Sequence, residues 1–451
     1  MSRPRRLALA LLSATLLAAP AAAETLTDAL IEAYRNSNLI EQNRAVLRAA
    51  DEDVASAVAA LRPALAFVAA SQYVDNIQTL GLTNSLGLSA SLTLFDSGRR
   101  SLSREIAQET VLATREALVS VEQGVLLEAV EAYMGVRQAL DFVSLNQNSA
   151  RLLGEELRAV QDRFEVGEVT RTDTAQAEAA RATAQAGLQS AQGDLTVARE
   201  RYRAAVGRFP GTLAAPPTAP AIPATLDEAK GIAQRTHPSI KQAQREVNVA
   251  ELNVALAAAQ RRPQVDLSAS LSYDDTYDRD SQAVGVELSQ PLYQGGGLSA
   301  LHRRAIANRD AARSALQQRA IEVAYSVGAA WSQLQVSRAN VRALGESVSA
   351  AQVAYDGVRE EARLGARTTL DVLDAEQELL RSQTDLVVAR TRQYVAVYSL
   401  LSSMGLLTVD HLKLGIPTYD PSAYYNAVKN APYTSVQGQK LDRVLRSIGK
   451  K

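Results

Sequence analysis

Leu86-Gly87-Leu88-Ser89-Ala90-Ser91-Leu92-Thr93-Leu94-Phe95-Asp96-Ser97-Gly98 changes its period partway along. Leu86, Leu88, Ala90, Leu92 and Leu94 alternate with small polar residues, which is the spacing of a strand with one apolar and one polar face. From Ser97-Gly98 to Val166 the chain has no Pro and is rich in Ala, Leu, Glu, Gln and Arg, so one helix can run through it. If continuous, that helix is roughly 100 Å long at 1.5 Å per residue. Gly167 stops it, and Thr172-Asp173 supply cap residues for a returning helix. A short strand therefore feeds a helical hairpin far longer than a globular core requires.

The same passage occurs twice. Thr25-Leu26, Ala29, Pro63 and Tyr73 recur 200 residues later as Thr225-Leu226, Ala229, Pro263 and Tyr273. From Gly87 onward the offset is 198, pairing Gly87 with Gly285, Leu94-Phe95 with Leu292-Tyr293, Gly167 with Gly365, Asp173 with Asp371 and Gly207 with Gly405. An even slip inside a hairpin keeps every side chain on its face, so an exposed turn is expected to absorb it. The chain is read as a first repeat over 24–209, with a β-hairpin at about 64–95 and a helical hairpin at about 98–207. A Pro-rich linker follows at 210–224. The second repeat covers 225–405, with a β-hairpin at about 264–293 and a helical hairpin at about 297–404, and a tail occupies 406–451. On the returning helices Ala177, Ala184, Ala191, Ala198 and Ala205, and likewise Ala375, Ser382, Ala389, Ala396 and Ser403, recur every seven residues. Small residues at one heptad position let helix axes approach closely, as in packed coiled coils.

Composition removes several function classes. The 48 Lys+Arg and 49 Asp+Glu exclude a polybasic nucleic-acid binder, so no nucleic-acid partner is expected. With no Cys there is no disulfide framework, thiolate metal site, Cys nucleophile or acylated cysteine. His237, His302 and His411 lack the spacing of a metal centre and read as surface or cap residues. Ser residues have no elbow motif, acids are spread at salt-bridge spacing, and Gly295-Gly296-Gly297 is followed by no Lys-Ser or Lys-Thr. No enzyme activity, metal or cofactor is expected, and the triple glycine reads as a strand-to-helix turn. Residues 1–23 show Arg3, Arg5 and Arg6, an apolar run from Leu7 to Ala19, and Ala21-Ala22-Ala23, the order of a secretory signal cleaved after Ala23. The run is too short to span hydrocarbon, which takes roughly 20 residues. Losing its three Arg takes the formal net charge from −1 to −4.

Four strands of about ten residues suit tilted bilayer crossings, and a soluble antiparallel sheet has the same pattern, so context decides. In lipid, four strands leave two unpaired edges, and the smallest membrane barrels need eight strands. One chain cannot close, and a membrane reading forces an oligomer of two or three chains.

Through the duplication, the hairpin order and the motifs Leu94-Phe95-Asp96-Ser97-Gly98, Val166-Gly167 and Leu364-Gly365-Ala366-Arg367-Thr368-Thr369-Leu370-Asp371-Val372-Leu373-Asp374-Ala375, the sequence resembles the TolC-type outer-membrane channel-tunnels of Gram-negative bacteria. The resemblance implies an α+β membrane protein, a homotrimer whose twelve-stranded transmembrane β-barrel, four strands per chain, sits in outer-membrane lipid. That barrel continues into a periplasmic α-helical barrel of coiled-coil hairpins. It implies an exit duct closed at the hairpin tips and opened by an inner-membrane ABC or RND transporter with a periplasmic adaptor. On the family's pattern Arg367 is the gate latch with Thr172 and Asp173 as partners, Asp371 and Asp374 are constricting acid rings, and Gly167 and Gly365 are the tip turns. An aromatic that adds a link in other members falls at Ala362, so that link is expected to be missing. The segment from Tyr419-Asp420-Pro421 to Lys451 resembles the tail of members serving type I protein secretion; drug or other small-molecule efflux is the alternative cargo class. A soluble periplasmic coiled-coil adaptor is the rival architecture. Read from the residues alone, Asp371 and Asp374 lie on one face of a helix start. They form carboxylate rings under threefold symmetry, or else serve as first-turn acids complementing the helix dipole.

Overall fold

The computed structural model describes residues 23–75, 80–275 and 278–432, with isolated positions beyond. The expected signal peptide, apart from Ala23, lies outside the described residues. The elements run twice through one series. The first contains α1 (Leu26–Asn36), α2 (Asn38–Ala59), β1 (Ala64–Asp75), β2 (Leu80–Phe95), α3 (Arg99–Glu165) and α4 (Arg171–Val206). The second contains α5 (Leu226–Thr236), α6 (Pro238–Ala259), β3 (Gln264–Asp274), β4 (Arg279–Ser289), α7 (Gly297–Arg363) and α8 (Thr369–Ser403), followed by α9 (Pro421–Val428). No helix among the described residues is long and apolar enough to cross a membrane. The chain divides into two compact units, each assembled from three stretches of sequence.

One unit comprises Asn38–Leu127, Ile222–Gln335 and Tyr398–Lys451 and holds the sheet. Its four strands are antiparallel in the order β1-β2-β3-β4. Pairing aligns Leu65 and Phe67 with Ala90 and Leu88, Leu88 and Leu92 with Leu271 and Leu267, and Leu267 and Ala269 with Val286 and Val284. One face is thus apolar across all four strands, and it is open: Val284 is 79% and Leu65 76% exposed. The other face carries Ser85, Ser89, Ser91, Ser268, Ser270, Ser272 and Ser281 in the opposite phase. Tyr73 stands opposite Leu82 and Tyr273 opposite Asp280, so the strand register is kept, and the two extra residues of the first copy lengthen its ladder by one pair and not its turn: β1–β2 ends at Asp75 opposite Leu80 and β3–β4 at Asp274 opposite Arg279, each leaving four residues between.

Three details depart from the alternation. The β2–β3 register shifts between Thr93 and Phe95, which leaves Leu94 outside the ladder. β4 ends at Ser289 rather than near Tyr293, because Pro291 has no N–H to continue a ladder. Gly295 and Gly296 then take positive φ and turn the chain into α7, a strand-to-helix turn as expected. In the first copy the equivalent turn is tied by side chains. Asp96 accepts the Gly98 and Arg100 amides at 3.0 and 2.9 Å, while Arg99 donates to the Ala259 and Arg262 carbonyls and to Gln264.

The helix pairs α1–α2 and α5–α6 precede the strands and are additions to the sequence reading. His237 links α5 to α6 as a cap, its Nδ1 accepting the Ser239 amide at 3.2 Å. Gly405, closing α8, sits against this link, and Thr236 Oγ1 donates to the Met404 carbonyl at 2.8 Å. The tail packs on α2 and α3: Tyr424 donates to Glu52 at 2.6 Å, Gln108 to the Tyr425 hydroxyl, and Arg115 to the Pro421 carbonyl.

The other unit comprises Met1–Ser37, Glu128–Ala221 and Val336–Val397. Its helices bury the heptad residues Ala177, Ala191 and Leu195 of α4 and Leu379, Ser382, Leu386 and Ala389 of α8. Glu24, next to the expected cleavage site, is clamped here. Its carboxylate accepts the Tyr202 hydroxyl at 2.5 Å, Arg208 at 2.7 Å and the Gly211 amide at 3.0 Å, and its backbone bridges Leu213.

Candidate functional site at the hairpin tips

Both tips are built by one local code. At the end of α3, Gly167 takes φ +82°, its amide donates to the Phe164 carbonyl and that of Glu168 to the Arg163 carbonyl. At the end of α7, Gly365 takes φ +79°, with Gly365 donating to Ala362 and Ala366 to Glu361. A left-handed residue flanked by this bond pair is the Schellman stop, which only Gly adopts without steric cost. Three residues further on, a Thr starts the return. Thr170 caps α4, its Oγ1 accepting the Asp173 amide while Asp173 Oδ2 accepts the Thr170 amide and hydroxyl at 2.8 and 2.7 Å. Thr368 and Asp371 repeat this at α8, at 2.9 and 2.8 Å. The cap is therefore Thr170 and not Thr172, which is exposed one residue inside the helix.

Asp371 is thus a capping acid, as its counterpart Asp173 is. The Thr368 amide and hydroxyl hold its carboxyl below the usual carboxylate range, and Thr170 does the same for Asp173. Asp374 is different. It is exposed, makes no hydrogen bond among the described residues, and its counterpart in the first copy is the uncharged Gln176. Of the two acids on this face, Asp374 carries the uncommitted charge.

Arg367 donates Nε to Glu361 Oε2 at 2.9 Å, a half-exposed pair inside its own tip. Within the chain its partner is Glu361, and neither Thr172 nor Asp173. The bond to Glu361 raises the guanidinium pKa further, and its two terminal amino groups make no hydrogen bond among the described residues. The position equivalent to Arg367 in the first copy is Val169, which packs on Leu157, Val160 and Ala177. One tip is closed by an apolar residue and the other by an ion pair. Ala362 is buried with Tyr355, Val372 and Leu379, and with Glu155, Arg163 and Arg359 it borders a groove of about 490 Å³. Val166 and Leu364 stand exposed at the two turns.

Sequence reasoning passes over Glu376, which is buried on α8 beside Ser149 of α3, because Asp and Glu are abundant along every helix. No cluster of metal-ligating side chains occurs among the described residues.

This sheet-and-hairpin arrangement, present twice, has counterparts among known proteins. The profile of the family described as outer membrane efflux protein matches residues 29–208 and again 231–406. The outer membrane efflux protein BepC of Brucella suis is 37% identical over 431 residues, covering 93% of this chain and 94% of that protein. The alkaline protease secretion protein AprF of Pseudomonas aeruginosa is 29% identical, covering 72% of this chain and 70% of that protein. The crystal structure of the outer membrane protein VceC from Vibrio cholerae superposes with a TM-score of 0.72 at 21% identity, over 84% of this chain and 96% of that one. The chain belongs to the outer membrane efflux protein family, and its fold is that of the TolC-type channels. It is a transport protein of the outer membrane that extends into the periplasm.

Proposed function

We propose that this chain is one protomer of a trimeric exit duct that performs no chemistry and draws no energy of its own. The four-stranded sheet carries the proposal. Its apolar face suits lipid, its Ser-rich face suits water, and β1 and β4 end the sheet with open edges that hydrocarbon does not tolerate. Three copies supply twelve strands and remove every edge, and the helical hairpins continue the wall. The tips form the closed end, opened when a periplasmic adaptor and an inner-membrane ABC or RND transporter dock.

The proposed cargo is an exported protein handled by type I secretion, which the similarity to a protease secretion protein supports. Efflux of small molecules is the second reading, favoured by the description and higher identity of BepC. A strain deleted for this chain separates the two. Loss of proteins from the culture supernatant with unchanged drug tolerance supports secretion. Drug hypersensitivity with an unchanged supernatant contradicts secretion and supports efflux.

In the closed trimer, Arg367 is proposed to reach Thr172 and Asp173 of the neighbouring subunit with the amino groups it does not use in its own chain. Arg367→Ser is then expected to increase the frequency of open events in single-channel recordings. A closed state as long-lived as in the parent protein would reduce Arg367 to ordinary surface charge.

A further inference from the structure

Asp51 lies on α2 beneath the C-terminal tail. It is 0% exposed, and neither of its carboxylate oxygens has a hydrogen-bond partner among the described residues. Leu47 and Val54, a turn away on either side along α2, form an apolar cluster with Val111 of α3, and Tyr419 and Tyr425 of the tail pack against that cluster. Arg115, one turn along α3 from Val111, is given over to the tail. It donates to the Pro421 carbonyl at 3.3 Å, its guanidinium lies 5.3 Å from the centre of the Tyr425 ring, and its Nε is buried without a partner. Both members of an acid–base couple are therefore left incomplete under the tail.

The second copy shows what the same couple does in the open. The offsets of 200 and 198 carry Asp51 onto Glu251 of α6 and Arg115 onto Arg313 of α7. Those two are half-exposed, and Arg313 donates to Glu251 Oε1 at 2.7 Å. The first copy differs in that the tail packs on α2. Docking of the tail takes Arg115 for its own carbonyl and ring and encloses Asp51 alone, an arrangement that penalises the charged carboxylate and favours the protonated acid.

We propose that residues 419–428 are a strap that acidity holds shut: docked, they occupy Arg115 above a protonated Asp51, and released, they return Arg115 to Asp51 in an ion pair like that of Glu251 and Arg313. The ionisable groups around Asp51 are Arg44, Arg48 and Glu52 from α2, Arg115 from α3, and Tyr419, Asp420 and Tyr424 from the tail. Burial pushes the two tyrosine hydroxyls up, and the Ser422 hydroxyl and amide hold Asp420 below the usual carboxylate range. Burial raises the Asp51 carboxyl to about 6, with Arg115 offsetting this only in part. A carboxyl whose pKa is higher in the docked state binds more protons there, so docking weakens as pH rises from about 4 through about 6 and changes little above. A shift of two pKa units corresponds to up to about 100-fold in the docking equilibrium.

Hydrogen exchange of the detergent-purified full chain, read as protection factors of the α9 amides so that the intrinsic pH dependence of exchange is removed, tests the strap. Between pH 4.5 and pH 7 protection in the parent protein is expected to fall by one to two orders of magnitude. Asp51→Asn, which keeps the shape and removes the charge, is expected to hold α9 protected across the whole range. Protection that does not change with pH in the parent, or that falls equally in Asp51→Asn, overturns the proposal. Where Asp51→Asn fails to assemble, Glu52→Gln and Asp420→Asn decide by removing the other carboxyls around the seat. A fall with pH that survives both substitutions supports Asp51, and a fall lost with either one overturns it.

Discussion

Gly405→Ala is expected to destabilise the unit that holds the sheet by about 3–4 kcal/mol. Gly405 ends α8 at φ +75°, where a side chain meets the following carbonyl, at a cost of about 1 kcal/mol. A Cβ there would lie 2.7 Å from His237 Cα, 3.0 Å from Pro238 Cδ and 3.1 Å from His237 N. These are backbone and ring atoms of the link between α5 and α6, fixed by the His237 cap and the Thr236 bond to Met404, so they cannot swing aside. Gly415→Ala is the control. Its φ is +70°, but nothing lies within 4 Å of the added carbon, so only the backbone cost of about 1 kcal/mol is expected. Denaturant midpoints of the two variants measure the difference, and equal midpoints would remove the close-approach argument.

Asp374→Ala is expected to weaken block by multivalent cations and to reduce cation preference by a larger factor than Asp371→Ala. Three carboxylates around a narrow axis bind a divalent ion by summed Coulomb attraction, and removing one ring is expected to cost on the order of 10- to 100-fold in blocking affinity at low salt. Asp371 has Oδ2 committed to the Thr368 amide and hydroxyl, and its copy Asp173 performs the same cap. Asp374 has no such engagement and no acidic copy, which is the distribution expected if the second-copy acid acts on ions and the shared acid on helix geometry. Replacing Asp371 is accordingly expected to fray the start of α8. Block curves for the two single variants and the double variant decide, and the assignment fails if Asp371→Ala alone abolishes block while Asp374→Ala leaves it intact.

The tips are readable because their code is local. A Gly at the stop, a Thr three residues later and an Asp three further suffice to fold each turn, and all are visible in the stretches from Val166 to Asp173 and from Leu364 to Asp371. Only the choice of Thr172 over Thr170 as cap misses, by placing the capping residue too close to the acid. The strands are legible as period two, yet the bulge at Leu94 depends on pairing with β3, which no single strand reveals. Helices α1–α2 and α5–α6 escape notice although Thr25 and Asp28 form a capping box and Thr225 caps α5, because the long proline-free runs dominate the pattern. Glu24 and Glu376 look like any other acid in sequence. Glu24 is engaged by Tyr202 and Arg208, more than 100 positions away, and Glu376 is buried by packing that no local pattern shows.

Whether three of these chains close a barrel in the outer membrane and a gated tube beneath it is decided by one sample measured two ways. The mature protein is purified in detergent, its oligomeric mass is determined, and the same preparation is added to a planar bilayer. A trimer giving small, cation-selective openings is the predicted result. A monomeric protein that stays in the supernatant when membranes are pelleted and carries no current would contradict it, and would return the long hairpins to a soluble periplasmic adaptor.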